Sequence, residues 1–193
     1  MCIRHGEKPG EGGPPHGVDP QGEKAHVSLS PRGWARAGAL AGLFGHLPLD
    51  AYPSVVRPER VIATKPTHHA HSHRERETGA VIADRLGLEV DESFTHGDEA
   101  KVARAVLVDP RSALVVWHHG TTPKLVRHFP LSAPDAVPHS WPDHRFDLLW
   151  VLSWNEDEAA YDFAEVNQCL LSGDRPPGQA ASRNEVIESD PMA

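Results

Sequence analysis

Three features of this 193-residue sequence predict an α/β fold with a mainly parallel sheet. Short apolar, strand-like runs alternate with helix-like segments. Two of those runs end in a His followed by Gly. The last two strand-like segments flank a polar run, Asn155-Glu156-Asp157-Glu158, which adds an antiparallel hairpin at one edge. Helices on both faces of such a sheet make a three-layer α/β/α sandwich.

The elements follow in order. Met1, Cys2 and Ile3 read as the end of a strand, with Arg4-His5 directly after it. Residues 7–29 are rich in Gly, Pro and charge and read as a long loop, of the kind that often carries function. Ser30 followed by Pro31 is a helix start. Trp34, Ala37, Leu40, Ala41 and Phe44 then recur at helical spacing, and Gly45 can end the helix. Val61-Ile62-Ala63 reads as a buried strand and residues 64–73 as a His-rich connection. A second helix runs to Leu86 from a start near Ser72 or Arg74, with Gly87 placed for a left-handed cap.

Asp98 to Val108 reads as a third helix. Ala113-Leu114-Val115-Val116-Trp117 is continuously apolar and is the clearest buried strand. Thr122-Pro123 opens another helix, and residues 130–145 form a Pro-rich loop. Leu148 to Trp154 and Tyr161 to Val166 make the hairpin, with Trp117 and Trp150 expected in the core. One domain is expected over residues 1–173. Residues 174–193, polar with Pro and Gly, are expected to be a disordered tail.

Composition narrows the function. Hydrophobic residues make up 39% and charged residues 24%, as in ordinary globular domains. The formal net charge of −8 disfavours nucleic acid and anionic lipid as partners. An anionic ligand therefore needs a local cluster of Arg and His. Two cysteines, Cys2 and Cys169, are too few for a disulfide scaffold and are read as reduced. No membrane-length apolar stretch and no signal-like N-terminus stand in the sequence, so a cytoplasmic location is expected by default.

The chemistry gathers at the strand ends. In parallel sheets ligands bind beyond the carboxyl ends of the strands. Arg4-His5-Gly6 supplies an imidazole nucleophile, a bidentate phosphate binder and a flexible backbone position. Nearby cations lower the pKa of an imidazole and keep it neutral. His118-His119-Gly120 ends a second strand, and Ser72 to Thr78 brings arginine to a helix start. Two imidazoles and two arginines are what a phosphoryl group needs around its oxygens. Arg76 and Lys8 could extend that anion site, although each is more often a solvated surface charge.

Four motifs in order resemble the histidine phosphatase (phosphoglycerate mutase-like) superfamily. These are Arg4-His5-Gly6, Leu29-Ser30-Pro31-Arg32-Gly33, Arg74 with Thr78 four residues on, and Val115-Val116-Trp117-His118-His119-Gly120. The resemblance spans roughly residues 1–130. It implies a phosphatase, rather than a mutase, acting on a small phosphorylated substrate. His5 would attack phosphorus to form a phosphohistidine. Arg4, Arg74 and His119 would hold the phosphoryl oxygens, and water would release phosphate. His119, not His118, fits the family position because it directly precedes Gly120. No metal or other cofactor is implied. The general acid would be Asp98, which follows Gly97, or Glu99, with Glu7 a weaker choice; alternatively the mechanism works without an acid.

Two other readings compete. His68, His69, His71 and His73 could share a metal ion, although no Cys or carboxylate completes a tetrahedral set. The same fold could also serve as a non-catalytic phosphate-binding module.

Overall fold

A computed structural model describes residues 1–10, 13–46 and 52–176 of the chain. One six-stranded sheet organises it, in the order β3-β2-β4-β1-β5-β6. The strands are β1 (Cys2–Arg4), β2 (Arg60–Ala63), β3 (Val90–Asp91), β4 (Ala113–Trp117), β5 (Leu148–Asn155) and β6 (Ala160–Asn167). β3, β2, β4 and β1 run parallel, and the β5–β6 hairpin joins β1 antiparallel. Ala159 takes a positive φ of 49° where the hairpin turn re-enters β6.

Strand alternation divides the core into two layers. Ile3, Val61, Ala63, Leu114, Val116, Leu149 and Val151 face one side, packed with Leu40, Phe44 and Ile82 from α1 (Pro31–Gly45) and α2 (Arg74–Leu86). Cys2, Ile62, Val115, Trp117, Leu148 and Trp150 face the other, with Val102 of α3 (Glu99–Leu107) and Leu125 of α4 (Thr122–Val126). A side-chain period of two on central strands requires this split. The result is the expected three-layer α/β/α arrangement, with Trp117 and Trp150 both fully buried.

Local signals account for the helix ends. Ser30 Oγ accepts the Gly33 amide at 3.1 Å and Pro31 opens α1. Gly45 is the last helical residue and His46 closes the helix, one residue beyond the expected stop. α2 begins at Arg74 and ends on Gly87, whose φ of 70° is left-handed. The loop at 130–145 contains one short 3₁₀ turn, η1 (Pro134–Ala136).

The boundary expected at residue 174 moves. Asp174 is nearly buried, and its carboxylate accepts from Arg36 Nη2 at 2.7 Å and from the amides of Leu170 and Leu171. Arg36, 2% exposed within α1, also binds Glu7 and Gln168. A buried guanidinium must be paired, so the ion cluster fastens residue 174 to the domain. The rest of the expected tail, residues 177–193, lies outside the described residues. Both cysteines are free, Cys2 buried and Cys169 exposed. Among the described residues no helix is long and apolar enough to cross a membrane.

Candidate active site

β1 and β4 are hydrogen-bonded parallel neighbours, with Arg4 opposite Trp117. His5 and the His118-His119 pair therefore leave the sheet at the same edge. The first helices close over that edge. Gly6 N–H donates to Thr78 Oγ1 at 3.0 Å, and the Thr78 hydroxyl donates to the Arg74 carbonyl at 2.8 Å. The spacing of Arg74 and Thr78 thus ties the start of α2 to the end of β1. Ser30 N–H donates to the Glu7 carbonyl at 3.0 Å, which seats α1 beside them.

His5 is 3% exposed. Its Nδ1 lies 2.6 Å from the Gly6 carbonyl, so Nδ1 carries the proton and Nε2 keeps a lone pair. Burial pushes its pKa down to about 4, and the charges of Arg4 and Arg74 act in the same direction. At neutral pH this imidazole is the unprotonated form that a nucleophile requires.

Arg4 lies at the centre of the cluster. Its charge lowers the pKa of His5, His118 and His119 alike. The guanidinium packs 3.9 Å over the Phe146 ring, and Nη1 donates to the Asp143 carbonyl. Its Nε–H is buried with no hydrogen-bond partner among the described residues. Burial lowers its pKa to about 10, which leaves it cationic. Arg74 donates to the carbonyls of Ser28 and His26, so it braces the long loop while its charge acts on Arg4 and His5.

His119 Nε2 meets Asp143 Oδ1 at 3.1 Å, and its buried Nδ1 has no partner among the described residues. Burial, then Arg4 and His118, bring its pKa to about 4 against the opposing pull of Asp143. His118 accepts the Gly120 amide at Nδ1, and its ring centroid lies 4.5 Å from that of His119 and 5.1 Å from that of His96.

The three carboxylates proposed from sequence as the acid are engaged elsewhere. Asp98 accepts from the Thr95 amide and hydroxyl, both at 2.9 Å, and pairs with Lys101 at 2.6 Å. These bonds take its pKa to about 2, so it holds no proton to give at neutral pH. Glu99 is buried under α3, where burial is outweighed by Lys124, Thr121 and Trp117, and its pKa is lowered. Glu7 is bound by Arg32 and Arg36.

Two other carboxylates stand at the site instead. Glu75 Oε1 lies 3.9 Å from His5 Nε2, and its Oε2 accepts the Ser72 hydroxyl at 2.7 Å. Burial opposes its ionisation, but His5 and Ser72 outweigh burial and the pKa is lowered. Asp143 is exposed on the loop that faces His119. A helical spacing marked Glu75: residues 75, 78, 79 and 82 form the buried stripe of α2. Asp143 sits among prolines with no periodicity to mark it.

The His-rich connection has a different character. His68 packs edge-on against His69 and His71, with centroids 5.3 and 5.8 Å apart. His73 precedes α2, and its amide donates to the Val27 carbonyl. Among the described residues no three His, Cys, Asp or Glu side chains are grouped to hold a metal ion.

No family model matches the chain, and no curated protein matches it. Among solved structures, one named Mycobacterial hydrolase 1 superposes with a TM-score of 0.47 at 14% identity, covering 85% of this chain and 94% of that one.

Proposed function

We propose that this chain is a metal-independent phosphatase of the histidine phosphatase type, acting on a phosphomonoester through a phosphohistidine on His5. One observation carries the proposal. A buried imidazole with a free lone pair at Nε2 stands in the field of a buried Arg4 whose Nε–H has no acceptor among the described residues. A phosphoryl oxygen supplies that acceptor, and its phosphorus is then within reach of the nucleophile.

His5 Nε2 attacks phosphorus, and the bond to the ester oxygen breaks with its electron pair on that oxygen. The leaving alcohol takes its proton from solvent water, relayed by the exposed Asp143 carboxylate beside His119. Water then attacks phosphorus, the N–P bond breaks, and the electron pair returns to Nε2. Glu75, ionised beside Nε2, takes the proton from that water. Arg4 and Arg74 supply the positive charge that a metal ion would otherwise provide. Phosphate release from a panel of phosphomonoesters tests the proposal. Turnover abolished by His5→Ala supports it, and a purified, folded protein that releases phosphate from none of them contradicts it.

A further inference from the structure

The loop that carries Asp143 has a firm base and a bare tip. Trp141 and Arg145 are both buried, and the Trp141 indole N–H donates to the Arg145 carbonyl at 2.8 Å. The Arg145 guanidinium is fixed in turn by Asp147 and Asn167, each at 2.6 Å. Between these anchors Pro142, Asp143 and His144 are exposed. Arg145 N–H donates to the Pro142 carbonyl at 3.0 Å and closes the tip as a turn. The Asp143 side chain is 92% exposed, so packing does not hold it in place.

Polar contacts to two strand ends hold it instead. The Asp143 carbonyl accepts Arg4 Nη1 from the end of β1, and its carboxylate lies 3.1 Å from His119 Nε2 beyond β4. A carboxylate only accepts, so His119 donates through Nε2. Arg4 and His119 are the donors that the phosphatase reading gives to phosphoryl oxygens. Asp143 thus offers two oxygens, one of them anionic, to the groups a phosphoryl group would use. The match is incomplete, because the buried Arg4 Nε–H has no acceptor among the described residues.

We propose that Asp143 is an autoinhibitory contact, a built-in anion that closes the phosphoryl site by occupying Arg4 and His119 until substrate displaces it. This rests on the phosphatase reading for what the site binds, but the contact itself is a claim about anion affinity. A phosphoryl dianion and the Asp143 carboxylate cannot both sit on His119, because their like charges repel. The apparent affinity for phosphate is therefore the intrinsic affinity scaled by the fraction of chains with Asp143 withdrawn. Phosphate displaces the carboxylate because it brings more oxygens, one of which meets the Arg4 Nε–H. The buried base of the loop confines the movement to the exposed tip. The carboxylate that withdraws is also the one that relays a proton to the leaving alcohol. Asp143 thus opposes binding and assists turnover.

Equilibrium binding of inorganic phosphate to the full chain, read by calorimetry, tests this without relying on turnover. Asp143→Asn and Asp143→Ala are expected to bind phosphate about 10-fold tighter or more than wild type, the effect of removing one competing charge-assisted contact. Asp143 is exposed, so the variants keep the fold, which thermal melting checks. Loss of any nearby negative charge also favours an anion, and His119→Ala separates that effect from the contact. In the His119→Ala background the gain from Asp143→Ala is expected to shrink toward one. An equal gain in both backgrounds overturns the contact, as does unchanged phosphate affinity in the Asp143 variants or no phosphate binding by any of these proteins. Slower alkyl phosphate turnover with unchanged phosphate affinity keeps the proton relay and overturns the autoinhibition alone. Tighter phosphate binding by the variants of a protein that turns over no phosphoester supports the contact while sinking the phosphatase reading.

Discussion

Gly6 and Gly33 are in backbone contact: a Cβ on Gly6 would lie 2.6 Å from the Gly33 carbonyl oxygen and 2.9 Å from its Cα. The glycine after His5 and the glycine in the first turn of α1 are thus one packing unit. Gly6→Ala forces these backbones apart. Overpacking of this kind costs about 1–3 kcal/mol. A lower thermal midpoint and reduced turnover are expected, and an unchanged midpoint would show that the contact is dispensable.

The acid dependence of stability follows from His5. Unfolded, the imidazole titrates near its ordinary 6.5; folded, it titrates near 4. Between those values the unfolded chain holds the extra proton. Stability from this group is therefore complete above about 6.5 and is lost as pH falls toward 4, by about 3 kcal/mol in all. His119 is shifted the same way and adds to the slope. Denaturant unfolding of wild type and His5→Gln across this range is expected to show a shallower profile in the variant. Turnover, which needs neutral His5, is expected to rise through an apparent pKa near 4 and then level off. A rise centred near 6.5 would contradict the burial argument.

Leaving-group dependence separates the carboxylates. Asp143→Asn is expected to slow alkyl phosphates far more than nitrophenyl phosphate, whose phenolate departs without a proton. Asp98→Asn is expected to leave both rates close to wild type, because Asp98 serves Thr95 and Lys101. Glu75→Gln is expected to give a burst of nitrophenol followed by slow turnover, since the second step loses its base. Equal slowing of both substrates by Asp143→Asn would remove Asp143 from the role.

Exhaustive chelation tests the source of positive charge. Activity is expected to survive it, because Arg4 and Arg74 flank His5. Loss of activity on chelation, restored by zinc, would move the chemistry to the His68–His73 segment.

Most of the fold was legible because it rests on local signals: the Ser30-Pro31 start, Gly87 at a helix end, and the apolar run of β4. That His5 and His119 leave the sheet at the same edge was legible from two strand ends of similar chemistry; that their strands are direct neighbours was not. The acid was not. Asp98 looked available after Gly97, but the turn folds the Thr95 amide and hydroxyl back onto its carboxylate. Glu75 was hidden within a run of charges, and only the register of α2 turns it inward while Arg76 stays outside its buried stripe. Asp143 depends on how a Pro-rich loop closes over His119, a tertiary event without local pattern. Asp174 was assigned to a tail because polar residues surround it, and the partner that holds it, Arg36, lies far away in sequence.

Acid–base stability of trapped label is the most direct test of His5 as nucleophile. The protein is denatured during turnover of a ³²P-labelled phosphomonoester, and the retained label is located by peptide mapping. Label on the peptide containing His5, labile in acid and stable in alkali, absent from His5→Ala and increased in Glu75→Gln, is the predicted result. Phosphate release with no protein-bound label in either wild type or Glu75→Gln, or label that survives His5→Ala, would contradict it.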